Sequence, residues 1–580
     1  MRLWLMSVVL CAAVSPCCFA QEKKRVYFNG DIITVAGDQP ELAEALVIQS
    51  GKIAFVGRRN EALGMAGPDA ENVDLGGRTL TPGFIDAHGH LLMAAHTLLD
   101  ANLTGVKDIP ELLARLREHA KEVPEGDRIV GMGYRAEQMV EKRHPTREEL
   151  DSVSTTRPIA ISDGSGHHGV INSGIMKELG ITAATPDPEG GVFFRKPGSR
   201  ELDGHIAEAA TMQVVASRPS LKAEQIRKGI GLAVALWKSQ GQTTACEMGL
   251  GLSGDDIDIV LTMIEEQLLP IDLVMFAKES ASKAIFDAGY QVARRFAAGE
   301  SDSQKLLAAR PGLDVRYIHR VRLGGIKIWM DGSIDTCFMS QPFRVNPPGV
   351  TTSGYRGMRV DPQETVLATV EKYWKSEKQI AAHAIGDEAN EQFLQACEAA
   401  MKKWGPADHR PIFQHAQVLR PDQIARIKKV GGTPSLTAAG IYPMGDYMAE
   451  LLGPEREPWI GAANSFVRQQ MPWTIHHDMP AGVSPSLIYA MWNVVNRQTR
   501  SGRVLGPEER VKPYEALRSI TIHGAYQFKE EKTKGSLEVG KLADLVILDR
   551  NPLKIPPAEI KEIRLLATIK EGQIVYQADQ

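Results

Sequence analysis

Between residues 83 and 478 the sequence returns again and again to short apolar runs, at 83–88, 243–247, 271–276, 323–329, 379–383, 411–415, 432–436 and 473–478. Amphipathic stretches at 360–377, 387–404 and 421–430 separate several of them. A strand followed by a helix must return to start the next strand, so the repeat implies parallel pairing. Eight such units close into a barrel. The expected fold is therefore α/β, a (β/α)₈ TIM-like barrel over residues 81–534. The gap at about 92–238 is too long for one crossover and carries its own strand-like runs at 129–133 and 158–162. It reads as an insertion after the first barrel strand, placed to cover the site.

The two ends differ from this middle. Residues 25–28, 31–35, 45–48 and 52–56 are short β-rich runs, broken by turn signals at Asn29-Gly30 and Ser50-Gly51. The same style returns at 543–548 and 572–576. Two β-rich ends around a long middle predict one small β-sandwich domain, 21–80 plus 535–580. Residues 1–20 form another kind of segment: Arg2, an apolar run from Leu3 to Val14, and a small-residue stop at Ala20. That order reads as a signal peptide, so the chain is expected to be exported, periplasmic or secreted. No second apolar run is long enough to span a membrane. Three of the six cysteines lie in that leader, and Cys246, Cys337 and Cys397 are too widely spaced for a zinc-finger or disulfide framework. A formal charge of −4 without a basic stripe gives a nucleic-acid partner no electrostatic support.

The chemistry collects at the ends of the apolar runs. The first runs into His88-Gly89-His90, and alternation puts both imidazoles on one face of a strand, within reach of one metal. A pair of hydrogen-bonded surface histidines is the plainer alternative. His383 and His415 end two further runs, and Asp478 follows the last. All lie at predicted strand C-termini, the barrel face that carries active sites. Asp478 suits a general base, with capping of the next turn as its structural alternative. Lys327 sits inside an apolar strand, where burial drives an amine toward neutrality and so toward reaction with carbon dioxide to give a carbamate. Pairing with Asp331 or with a substrate carboxylate accounts for it equally well.

Together His88, His90, Lys327, His383, His415 and Asp478 resemble the ligand set of the amidohydrolase superfamily. The resemblance is strongest to the YtcJ-like branch, which includes N-substituted formamide deformylases. It extends to Ser162–His168, Lys327–Ser333, His383–Asp387, Gln414–Gln417, Asp478–Pro480 and the tail Gly540–Asp549. It implies that His88, His90, His383 and His415 bind one or two divalent ions, with zinc expected. Lys327 would be a carbamylated bridge if the site is binuclear, and Asp478 both a ligand and the base. The implied activity is hydrolysis of a non-peptide C–N bond, amide, N-acyl or N-formyl, in a small-molecule substrate. An ester, lactone or cyclic amide is the alternative substrate, and a non-catalytic binding protein the alternative class. A homo-oligomer is compatible with either.

Some residues stay open at this level. His167 and His168, after Asp163-Gly-Ser-Gly, are candidates to meet substrate or a developing oxyanion, or simply a turn. Trp329, Tyr442 and Trp473 are candidates for the pocket wall or the core. The segment after Asp331 departs from the family pattern, and it is expected to touch substrate. Glu247 lies where an acid recurs in the family, its role open. The arginines at 497, 500 and 503 read most simply as a solvated loop.

Overall fold

The computed structural model describes residues 23–282, 318–347, 350–376, 378–481 and 485–579. The segment 1–20, expected to be a signal peptide, lies outside them. All eight expected barrel strands are present: Phe84–Ile85, Gln242–Leu250, Asp272–Lys278, Val321–Trp329, Gln379–Ala384, Ile412–His415, Thr433–Leu436 and Thr474–Ile475. They pair in parallel, each with its neighbour in sequence, in one curled eight-stranded sheet. The segments leaving the first and last strands meet through Asp478 N–H to His88 O at 3.1 Å and His90 N–H to Met479 O at 2.8 Å. The architecture is that of an α/β barrel.

Both faces of this sheet are covered, so its strands read as apolar runs rather than alternations. All but the last residue of Asp272–Lys278 is buried. Helix Ala223–Ser239 shows the complementary pattern, burying Ile226, Ile230, Ala233, Val234 and Trp237 at helical spacing. These side chains share a core with Ala245, Leu273 and Met275 of the barrel. Each large side chain so buried is worth about 1.5–3 kcal/mol.

Both ends of the chain enter one further eight-stranded sheet. Thr79–Pro82 lies between Arg25–Ile33 and Leu545–Leu548, bonded to both. Ser50-Gly51 turns the chain, both residues at positive φ, as a tight hairpin demands. Asn29-Gly30, expected to be a turn, is instead a bulge inside one continuous strand, Arg25–Ile33. The strand bends there because Asp31 N–H bonds Arg78 O at 3.0 Å, and a side chain at position 30 would sit 2.3 Å from that same carbonyl.

The insertion forms a third sheet of six strands, from Ala101–Asn102 to Leu202–Glu208, in the order Gly191–Arg195, Leu202–Glu208, His168–Ile171, Ile159–Asp163, Ile129–Tyr134, Ala101–Asn102. Alternation divides its strands. Val130, Ile171 and Ile206 face the cavity described below, while Ile129 and Val170 pack toward helix Ile109–His119. Among the described residues, no helix is long and apolar enough to cross a membrane. Cys246, Cys337 and Cys397 are buried and free.

Candidate active site

Asp478 stands at the centre of the barrel mouth. Its Oδ1 lies 3.0 Å from His88 Nε2 and 3.4 Å from His90 Nε2, and its Oδ2 lies 4.0 Å from His415 Nδ1. The His383 ring is 4.3 Å from that of His415, centre to centre. Lys327, on the fourth barrel strand, is buried, with no hydrogen-bond partner for its Nζ among the described residues. All six of these side chains line one cavity of about 190 Å³.

The backbone is forced to bring them there. His415, Ala416 and Asp478 have φ of 69°, 41° and 57°, a region costing non-glycine residues about 1–3 kcal/mol each. Gly89 is required for a close approach to Asp86. A side chain at 89 would fall 2.3 Å from the Asp86 carboxylate, which is held by Trp237 Nε1–H at 3.0 Å and by His88 N–H at 3.2 Å.

Charge and burial sort the groups. Burial pushes the Asp478 carboxyl upward, but the His88 imidazole, with His90 and His415, outweighs it and holds the group well below its ordinary value. Burial lowers the Lys327 ammonium to about 7, against the opposing pull of Asp478. The same desolvation, reinforced by Lys327, takes His383 down to about 3. His90 moves the other way: desolvation is overcome by Asp478 and Glu247, and it rises to about 9. Asp331 is not the partner of Lys327. Its carboxylate takes the backbone N–H groups of Gly386, Ile385 and Phe338 at 2.7, 2.9 and 3.0 Å.

The donor set fits a divalent cation. Candidate ligand atoms of His88, His415 and Asp478 all lie within 4.8 Å of one another. The Asp478 Oδ1 contact with His88 lacks hydrogen-bond alignment despite its 3.0 Å length. Buried polar atoms ordinarily have partners, and ring nitrogens of His88, His415 and His476 have none here. Imidazole and carboxylate donors without a thiolate suit zinc or a similar ion.

The neighbouring histidines part company. His167 lines the cavity, its ring 5.5 Å from that of His383, and bonds Glu208 Oε2 through Nδ1 at 2.7 Å. Burial lowers the imidazolium, but the Glu208 charge outweighs it and lifts the group to about 9. His168 points to the opposite face of the strand, away from the cavity, as alternation requires. Trp329 lines the cavity. Tyr442 does not: it sits in the first turn of helix Ile441–Leu452, against Trp492, with its N–H on Asn493. Trp473 is core. The loop after Asp331 is absent from the cavity wall and acts at one remove, with the Thr336 hydroxyl donating to Glu208.

Two groups, Glu208 and His476, escaped the sequence reading, and Glu247 was seen there without its role. Glu208 ends a strand in the insertion, far along the chain from the histidine it serves. Glu247 accepts from His90 Nδ1 at 3.1 Å and from Leu92 N–H at 2.8 Å, which orients the ring. His476 stacks on His88 at 4.6 Å. Its place just after the strand Thr474–Ile475 and two residues before Asp478 was the available signal.

Comparison with known proteins agrees with this geometry. Residues 71–576 match the amidohydrolase family. The chain is 28% identical to an N-substituted formamide deformylase of Arthrobacter pascens, covering 96% of this chain and 99% of that one. It is 24% identical to the putative amidohydrolase YtcJ of Bacillus subtilis, with the same coverage of 96% and 99%. Among solved structures, an uncharacterized metal-dependent hydrolase from Pyrococcus horikoshii superposes with a TM-score of 0.68 at 23% identity, over 95% of this chain and 100% of that one. The chain belongs to the amidohydrolase family, hydrolases of carbon–nitrogen bonds other than peptide bonds.

Proposed function

We propose that the protein hydrolyses the amide bond of a small N-substituted carboxamide, N-formyl or N-acyl, with an uncharged apolar substituent. The observation that carries this reading is the meeting of Asp478 with His88, His90 and His415 at the mouth of a cavity that has one apolar wall. His88, His90, His383, His415 and Asp478 would hold one or two divalent ions, zinc by the character of the donors. A bound ion supplies Lewis-acid polarisation of the scissile carbonyl and makes water a nucleophile near neutral pH.

The side chains do the rest. Asp478, ionised at neutral pH, takes the proton from the attacking water and returns it to the departing nitrogen. His167, kept protonated by Glu208, donates to the oxygen on which charge develops. Val130, Met132, Ile171, Ile206, Met212 and Val215 offer an apolar wall to the substituent. Arg128 and Arg218, at the same wall, are engaged by Glu178 and Asp100, so neither guanidinium stands free for an acidic substituent there. An unpartnered Lys327 amine near neutrality supports carbamylation, which would give a second ion a bridging carboxylate. The leader at 1–20 supports export, and the two-ended sheet supports a small sandwich domain beside the barrel.

The Arthrobacter relative, an N-substituted formamide deformylase, agrees with this substrate class. A hydrolysis panel of N-formyl and N-acyl amines, N-acyl amino acids, cyclic amides and esters, each run with and without a chelator, tests it. Chelator-sensitive release of amine is expected, fastest with benzyl- or alkyl-substituted formamides. Preference for anionic N-acyl amino acids or for esters, or turnover indifferent to chelation, would overturn it.

A further inference from the structure

On the reverse of the inserted sheet lies a second group of histidines that the catalytic reading does not use. His168 points away from the cavity, and His205, opposite Val170 in the antiparallel ladder, lies on the same reverse face. His144 comes from the segment before helix Arg147–Asp151 and completes the group. His168 Nδ1 and His205 Nε2 are 3.1 Å apart, and candidate ligand atoms of all three residues lie within 4.8 Å of one another.

We propose that His144, His168 and His205 form a second, imidazole-only site for a divalent transition-metal ion, separate from the catalytic centre. Four features support it. Zinc–nitrogen bonds of 2.0–2.1 Å in a tetrahedron put neighbouring ligand nitrogens about 3.3 Å apart, close to the His168–His205 spacing. The Tyr134 hydroxyl meets His144 Nδ1 at 2.8 Å, the kind of outer partner metal-binding histidines have, and leaves Nε2 for an ion. Burial, and after it the neighbouring imidazoles, lowers His144 to about 4 and His205 well below the ordinary histidine value, so protons do not compete at these two rings at neutral pH. Each ring is only partly buried, which leaves an entry path and room for water at a fourth position.

The rings of His144 and His205 lie stacked at 4.1 Å, with Phe194 against His205 on the sheet at 4.0 Å. Completing the set therefore takes rotation of the His144 ring about its side-chain bonds, an ordinary motion for a partly exposed residue. The donors favour zinc, nickel or copper over magnesium or calcium, which prefer oxygen. An ion here ties three segments together directly behind His167, the next residue in the chain to His168. It would fix the strand that presents His167 to the cavity.

Full-length protein is stripped with chelator, reloaded with zinc, freed of loose metal by gel filtration and analysed for metal content. Wild type is expected to retain one more equivalent than His205→Val or His144→Gln, both folded by circular dichroism. On wild type alone, zinc should protect His144 and His205 from acylation by diethyl pyrocarbonate, mapped by mass spectrometry. That second measurement decides the matter if a variant fails to fold. Equal metal content in wild type and folded variants, or acylation of both residues unchanged by zinc, overturns the proposal.

Discussion

The fourth barrel strand carries one buried cation toward each end, and the two are treated in opposite ways. Near its start, Arg322 donates to Glu530 at 3.1 Å and to Phe528 O at 2.8 Å. Around it, Lys534 reaches Asp272 at 2.6 Å, and Lys570 reaches Asp544 at 2.7 Å and Asp272 at 2.9 Å. Cations and carboxylates are matched, and the network fastens the barrel floor to the C-terminal strands. Near the other end, Lys327 has no hydrogen-bond partner among the described residues, and His88 and His415 each keep a buried ring nitrogen without one among them. Burial of charge is tolerable when partners are supplied from within, and costly when they are not. The floor is satisfied from within the chain, so losing one partner there is costly. The mouth is complete only with something added, as expected of a binding site.

Three substitutions test how far that contrast goes. The largest effect belongs to the mouth. Asp478→Asn should lower turnover by about 10²- to 10⁴-fold, the usual worth of a general base, while the melting temperature stays close to wild type. Steady-state kinetics beside a thermal melt measures both, and undiminished turnover would remove Asp478 as the base. Next comes a matched pair. Lys570→Met on the floor takes the cation from Asp544 and one of those on Asp272, and should cost about 3–5 kcal/mol in denaturant unfolding, with kcat little changed. Lys327→Met at the mouth should leave metal-free protein as stable as wild type, or more so, and abolish metal-dependent activity. Equal stability losses for both would erase the distinction between the ends.

The smallest effect concerns Glu208. The folded His167 value, raised to about 9, means that its interaction with Glu208 is fully present below the ordinary histidine value and is lost as pH rises through 9. Activity that depends on the protonated ring should fade over the same interval. Glu208→Gln removes the charge that raises it, so the alkaline limb should move toward neutral pH, with about a tenfold loss at pH 8. A pH–rate profile with an unmoved alkaline limb would detach His167 from catalysis.

The sequence made the barrel legible because each strand announces itself locally: an apolar run, then a residue with chemistry at its end. His88, His90, His383, His415 and Asp478 could be found that way, since the strand both marks and aims them. The residues that orient them could not. Glu247 and Glu208 act through contacts spanning 157 and 41 positions, and no local pattern records such pairings. The side of the sheet taken by His167 and His168 was written in the two-residue period of the strand, once the strand's limits were known. Tyr442 and Arg497 misled for a shared reason, that residue type says little about depth. Arg497 reads as part of a solvated loop, yet it is fully buried, donating to Leu505 O, Gly461 O and Ile460 O at 2.5 to 2.7 Å.

The sheet shared by both chain ends also imposes an order on biosynthesis. Thr79–Pro82 has Arg25–Ile33 on one side from the outset, but its other edge is met only by Leu545–Leu548. During synthesis that edge waits, with unpaired backbone groups, until nearly five hundred further residues have left the ribosome. The final assembly step is therefore joined to translation of the last few dozen codons, and a nascent chain stalled before them carries an open strand that a chaperone must shield.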